Sequence, residues 1–204
     1  MKSSFVFAFC VLFLFSCKKE LAPAAQEDQN KTARSLQRPH VLKIGDSYAG
    51  GIIIYFSNFL RTHGRVCATE DIGNYPWDLT VFDPQNPQNY NPHLVGGTST
   101  GRDYGAANTT GIVQALGSGS YAAVMCRNYR GGGFVDWSLP SRDELDLVYD
   151  RVKVPGLSTF GGTYYWSSSE IDNKAVWCER FDTGEEVSTA WKNNVMSVRP
   201  TRGF

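Results

Sequence analysis

Residues 131–150 read GGGFVDWSLPSRDELDLVYD, and their second half announces a helix start. In Ser141-Arg142-Asp143-Glu144 the Ser hydroxyl can accept from the Glu144 amide while the Glu carboxylate returns to the Ser141 amide, a capping box. Pro140 keeps the preceding chain extended and outside the helix. Leu145, Val148, Tyr149 and Val152 then recur at helical spacing and predict a buried face. Asp143, Asp146 and Asp150 lie on another face, which reads as solvated rather than as a cation site. Ahead of the cap, Gly131–Gly133 supply backbone freedom for a sharp turn before Trp137. Trp137, Pro140, Ser141 and Glu144 therefore read as structural residues.

Toward the C-terminus, after Pro155-Gly156, the apolar period drops to two. YYWSSSE (164–170), AVWCERF (175–181), EVSTAWK (186–192) and MSVR (196–199) predict four antiparallel strands, with Asp182-Thr183-Gly184 as a tight hairpin turn. Toward the N-terminus the pattern predicts helices over about 104–116 and 121–129, and strands at IIIYFS (52–57) and RVCAT (65–69). Gly50-Gly51 marks a turn or a close backbone approach. Residues 71–101 are long and irregular, a length at which loops are functional or disordered. Within them GGTSTG (96–101) lacks the Gly-Lys-Ser/Thr of a phosphate loop and reads as a turn. Asn108-Thr109-Thr110 reads as local helix chemistry. Strands, then helices, then a sheet define an α+β domain, an antiparallel sheet with two or three helices.

The N-terminus predicts the compartment. Lys2, the apolar run Phe5–Phe15 and then Ser16-Cys17 form a secretion signal, too short to span a bilayer. Leu14-Phe15-Ser16-Cys17 resembles a lipoprotein processing site, which implies cleavage after residue 16 and acylation, palmitate included, of Cys17. Residues 18–40 are polar and aperiodic and read as a flexible tether. The expected division is 1–16 signal peptide, 17–40 lipidated Cys and tether, and 41–204 a single domain. The expected partner is a membrane through the lipid, and the expected place is the outer membrane, facing the periplasm or the surface.

Without Lys2 the chain carries 19 basic and 20 acidic residues, and residues 131–204 carry 8 and 11. No basic stripe exists, which argues against nucleic acid. Cys67, Cys126 and Cys178 remain in a compartment that permits disulfides, so one bridge plus one free thiol is the simplest expectation, the pair left open. No C-x-x-C or close Cys/His set predicts a metal, and no motif calls for a cofactor.

The order DWSLPSRDEL, YYWSSSE, AVWCERFDTGE and VRPTR, preceded by GGIIIYF, resembles the C-terminal domain family of the Legionella collagen-like adhesin, over roughly residues 44–202. The resemblance implies a bacterial secreted or lipid-anchored domain, distantly C-type-lectin-like and so related in fold to formylglycine-generating enzymes. It also implies binding of sulfated glycosaminoglycans, which the acidic balance of residues 131–204 does not favour.

These readings converge on an envelope-anchored binding module for carbohydrate or another surface ligand. Trp166, Ser168, Glu170, Asp172, Asn173, Trp177, Arg180 and Trp191 supply aromatic faces with polar neighbours, as sugar recognition requires. Tyr75, Trp77 and Tyr90 could add a loop wall. The alternative is a structural accessory lipoprotein of an envelope complex. An enzyme is not expected: His63 and His93 lack evident partners, and formylglycine-type chemistry wants a reactive cysteine pair where Cys178 stands alone.

Overall fold

The structure, a computed structural model, describes residues 41–204; the signal peptide, Cys17 and the tether lie outside the described residues. The compact unit begins at Leu42. Its chain order is β1 (Ser47–Tyr48), β2 (Gly51–Phe56), β3 (Gly64–Cys67), β4 (Asn74–Pro76), α1 (Gly105–Leu116), α2 (Ala122–Asn128) and α3 (Arg142–Val148), then β5 (Tyr164–Glu170), β6 (Ala175–Arg180), β7 (Glu185–Trp191), β8 (Val195–Ser197) and β9 (Thr201–Gly203). A π-helical turn, Tyr149–Lys153, extends α3. The fold is α+β, with one sheet ordered β1-β2-β3-β9 and another ordered β4-β8-β5-β6-β7.

The last four predicted strands are not one antiparallel set: β8 lies antiparallel to β4 and parallel to β5, through Tyr165 and Ser197. Strands β1, β4 and β9, of two or three residues, are too short to show a period and were not expected.

The capping box at Ser141 is present in both directions. The Ser141 hydroxyl also donates to the Gly101 carbonyl at 2.8 Å, so the cap ties α3 to the loop before α1. Glu144 does more than cap. Its buried carboxylate accepts from Arg65 at 2.8 Å, from the Thr201 hydroxyl at 2.9 Å and from the Gly105 amide at 3.2 Å. A buried charge is tolerable only with such partners, and here they join α1, α3, β3 and β9. Trp137 is buried with its indole N–H on the Gly131 carbonyl, and the Pro140 carbonyl accepts the Ser168 amide at 2.7 Å. Gly132 takes φ 62°, and a Cβ there would lie 2.4 Å from the Gly50 Cα. The glycines at 50 and 132 are therefore one device: two backbones touching.

Three apolar clusters fill the unit. Trp77, Ile112, Tyr121, Cys126, Leu139, Trp166, Cys178 and Val198 pack α1 and α2 on the large sheet. Ile52, Cys67, Leu145, Val148, Val152, Tyr165 and Phe181 seat α3 between the sheets, and Ile53, Val66, Ala68 and Trp137 form the third cluster. The expected disulfide is absent: Cys67, Cys126 and Cys178 are all free and buried. Cys67 sits in a different cluster from the other two, and burial pushes the Cys67 and Cys178 thiols up to about 12.

Candidate functional site

The long loop after β4 is stitched down from both ends. Burial would raise the Asp78 carboxyl, but hydrogen bonds from Thr80 and from the His93 backbone and ring outweigh it and hold its pKa below the ordinary value. Further along, Glu170 at the end of β5 accepts from the Val95 and Gly96 amides at 2.9 and 2.6 Å, and its own amide donates to Thr98. Lys192, fully buried after β7, donates to Glu170 at 2.5 Å and to the His93 carbonyl at 2.6 Å. Its ammonium also lies 4.7 Å from the Trp77 ring centroid. The pair consumes its own charge internally and fixes residues 93–96 over the sheet. GGTSTG is thus a strap across the end of β5.

That strapping creates a groove of about 690 Å³ lined by Asn91, Pro92, His93, Leu94, Ile171, Asp172 and Asn173. The Asn173 side chain donates to the Asn91 side chain at 3.2 Å, which bridges the two walls. Asp172 shapes its own turn by accepting the Lys174 and Ala175 amides, both at 2.7 Å. Beside this turn stands Trp191, directly opposite Ala175 in the β6–β7 pair. Its ring stacks on Tyr90 at 5.7 Å and meets the edge of Phe82 at 5.3 Å, yet Trp191 remains 44% exposed. The Tyr90 hydroxyl accepts the Asn193 amide, so the stack is pinned from below.

The structure therefore sorts the eight residues expected to meet ligand. Asp172 and Asn173 line the groove, Trp191 stands outside the lining, opposite Ala175 and stacked on Tyr90, and Glu170 holds the Val95 and Gly96 amides beside it. Trp166 and Ser168 do not belong to the site: both are fully buried, the indole donating to the Tyr75 carbonyl and the Ser hydroxyl accepting from Asn108. β5 is covered on both faces, by α1 on one side and α3 on the other, so its serines mark no wet face. Trp177 lies under the Arg142 guanidinium at 5.2 Å, and Arg180 pairs with Asp182 at 2.7 Å, both away from the groove lining. Of the expected loop wall, Trp77 is core and Tyr75 half-buried; Tyr90 serves as the floor under Trp191.

His93, weighed in the sequence only as a catalytic residue without a partner, lies in the lining with its ring on Asp78. Asn91, Leu94 and Phe82 escaped the sequence reading. Their only signals were the length of the loop and its Asn-Pro punctuation. The lining holds one carboxylate and no Lys or Arg, so its chemistry suits a neutral ligand with hydroxyls and one apolar face. Among the described residues, no three His, Cys, Asp or Glu side chains are placed to share a metal ion, and no helix is long and apolar enough to cross a membrane.

No family model matches the chain, and no curated protein matches it. Among solved structures it is similar to a fimbrial protein from Bacteroides ovatus ATCC 8483, with a TM-score of 0.51 and 16% sequence identity. The match covers 80% of this chain and 49% of that one, so the chain spans about half the length of its structural neighbour. The likeness is one of fold.

Proposed function

We propose that the protein is a lipid-anchored binding module of the cell envelope and that its groove takes a neutral carbohydrate. The observation that carries this reading is Trp191: a braced, half-exposed indole beside a groove lined by Asn91, His93, Asp172 and Asn173. A flat ring offers a sugar an apolar face, and amide and carboxylate groups beside it fix the hydroxyls. The lipoprotein-like signal, the motif order that resembles the Legionella adhesin domain family, and the fold likeness to a fimbrial protein all support an envelope setting. The absence of cations from the groove lining favours neutral over sulfated glycans.

A second reading, an accessory lipoprotein that docks another envelope protein, has its own observation. Leu79, Val81 and Leu94 on the same loop, with Ile171, are all exposed apolar side chains. A glycan array probed with the mature protein separates the two. Hits that persist at high salt support the carbohydrate reading; no hits, together with a stoichiometric envelope protein co-purifying through this loop, support the second. Formylglycine-type chemistry has little to draw on, because burial, with Glu179 beside it, pushes the Cys178 thiol up to about 12.

A further inference from the structure

Phe59 and Leu60 are 98% and 76% exposed, side by side in the loop that joins β2 to β3. Single exposed apolar residues are ordinary, but two large neighbours on a built tip ask for a partner. The tip is closed by the Ser57 amide on the His63 carbonyl at 3.0 Å. Across it the Asn58 side chain donates to the Thr62 hydroxyl at 2.7 Å and accepts the Thr62 amide at 3.0 Å. Arg61 adopts a left-handed φ of 56°, rare outside glycine, and its guanidinium donates to the Leu42 carbonyl at 2.9 Å.

That last bond places the tip beside the entry of the chain. The compact unit starts at Leu42, so the segment that carries Cys17 joins it one hydrogen bond from Arg61. Cys17 precedes Leu42 by 42 − 17 = 25 positions, a reach of at most about 90 Å. Lys43 and Arg61 are both exposed: Arg61 follows the apolar pair in the chain, and Lys43 follows Leu42, whose carbonyl Arg61 holds.

We propose that the Phe59-Leu60 tip is a second membrane contact, a wedge that enters the interfacial layer of the bilayer holding the acylated Cys17, with Lys43 and Arg61 at anionic headgroups. The inference rests on the anchoring part of the proposed function. Two apolar side chains bind a bilayer weakly from solution. A tether converts that weak contact into a persistent one by raising the local concentration. The contact would set which way the recognition groove faces.

The test uses the mature protein carrying Leu60→Cys, labelled with a nitroxide and placed in phosphatidylethanolamine/phosphatidylglycerol vesicles; Asp172→Cys is the reference. The three domain thiols are buried with raised pKa values, so the label goes to the introduced cysteine. The expected result is lipid-phase oxygen accessibility at position 60 and aqueous accessibility at 172. Equal aqueous accessibility at both positions overturns the wedge. Mass spectrometry of the mature chain tests the anchor separately. If Cys17 carries no lipid, vesicle co-sedimentation of the chain against Phe59→Ser/Leu60→Ser decides. Parent binding at least about tenfold stronger supports the wedge, and indistinguishable binding, including none by either, overturns it.

Discussion

Glu179 is 2% exposed, and neither carboxylate oxygen has a hydrogen-bond partner. Asp146 and Asp150 face it from α3 and its π turn, and Glu186 opposes it from β7, itself bonded to Arg142 at 3.3 Å. Burial first, then these like charges, pushes the Glu179 carboxyl from 4.5 up to about 8. The folded chain thus keeps a proton that the unfolded chain releases. Its contribution is complete below about pH 4.5 and is lost as the pH climbs to about 8. Glu179→Gln, which keeps the shape and cannot ionise, should match the parent at pH 4.5 and exceed it by about 2–4 kcal/mol at pH 9. Urea unfolding at the two pH values checks this; a pH-independent difference would mean that Glu179 stays ionised when folded. Lys192→Met poses the opposite question, since it strands the Glu170 charge. A loss of about 3–5 kcal/mol is expected, with the Val95 and Gly96 amides exchanging faster. Adding Glu170→Gln should restore most of that loss, and a double variant as unstable as the sum of the singles would refute the account of the pair.

Among elements, α3 was legible because its start is local: the capping box needs four residues, and all four are in sequence. Ser141→Ala removes the cap and the bond to the Gly101 carbonyl, and should cost about 1–3 kcal/mol in thermal or denaturant unfolding. The Gly50–Gly132 contact predicts a contrast. Gly132→Ala must destabilise more than Gly133→Ala, because both carry positive φ but only Gly132 meets another backbone. Equal losses would show that backbone strain alone matters there. The β5–β6–β7 hairpins were legible from their alternation and from the Gly184 turn, at φ 75°. The parallel seat of β8 against β5 was not, because pairing across some thirty residues leaves no local mark. At the site, Asp172 and Asn173 showed as turn chemistry and Trp191 as a strand-end aromatic. Trp166 and Ser168 misled because the serines of YYWSSSE suggest a wet side, whereas β5 is buried on both faces.

At the scale of the molecule, internal charge is spent on architecture. Arg199 binds Asp71 at 2.7 Å, Arg202 grips Asp136 through two nitrogens, and Arg65 holds Glu144. The cations of the VRPTR ending that resembles the adhesin family are thus buried and paired. They are withdrawn from any polyanion, which is why the account favours a neutral ligand. The most direct test is glycan binding by the mature protein at low and high salt, run beside Trp191→Ala. Neutral glycans should bind with an affinity that salt leaves unchanged and that Trp191→Ala weakens at least about tenfold, about 1.4 kcal/mol. Binding that is unaffected by Trp191→Ala, or that appears only with sulfated glycans and vanishes in salt, would contradict it.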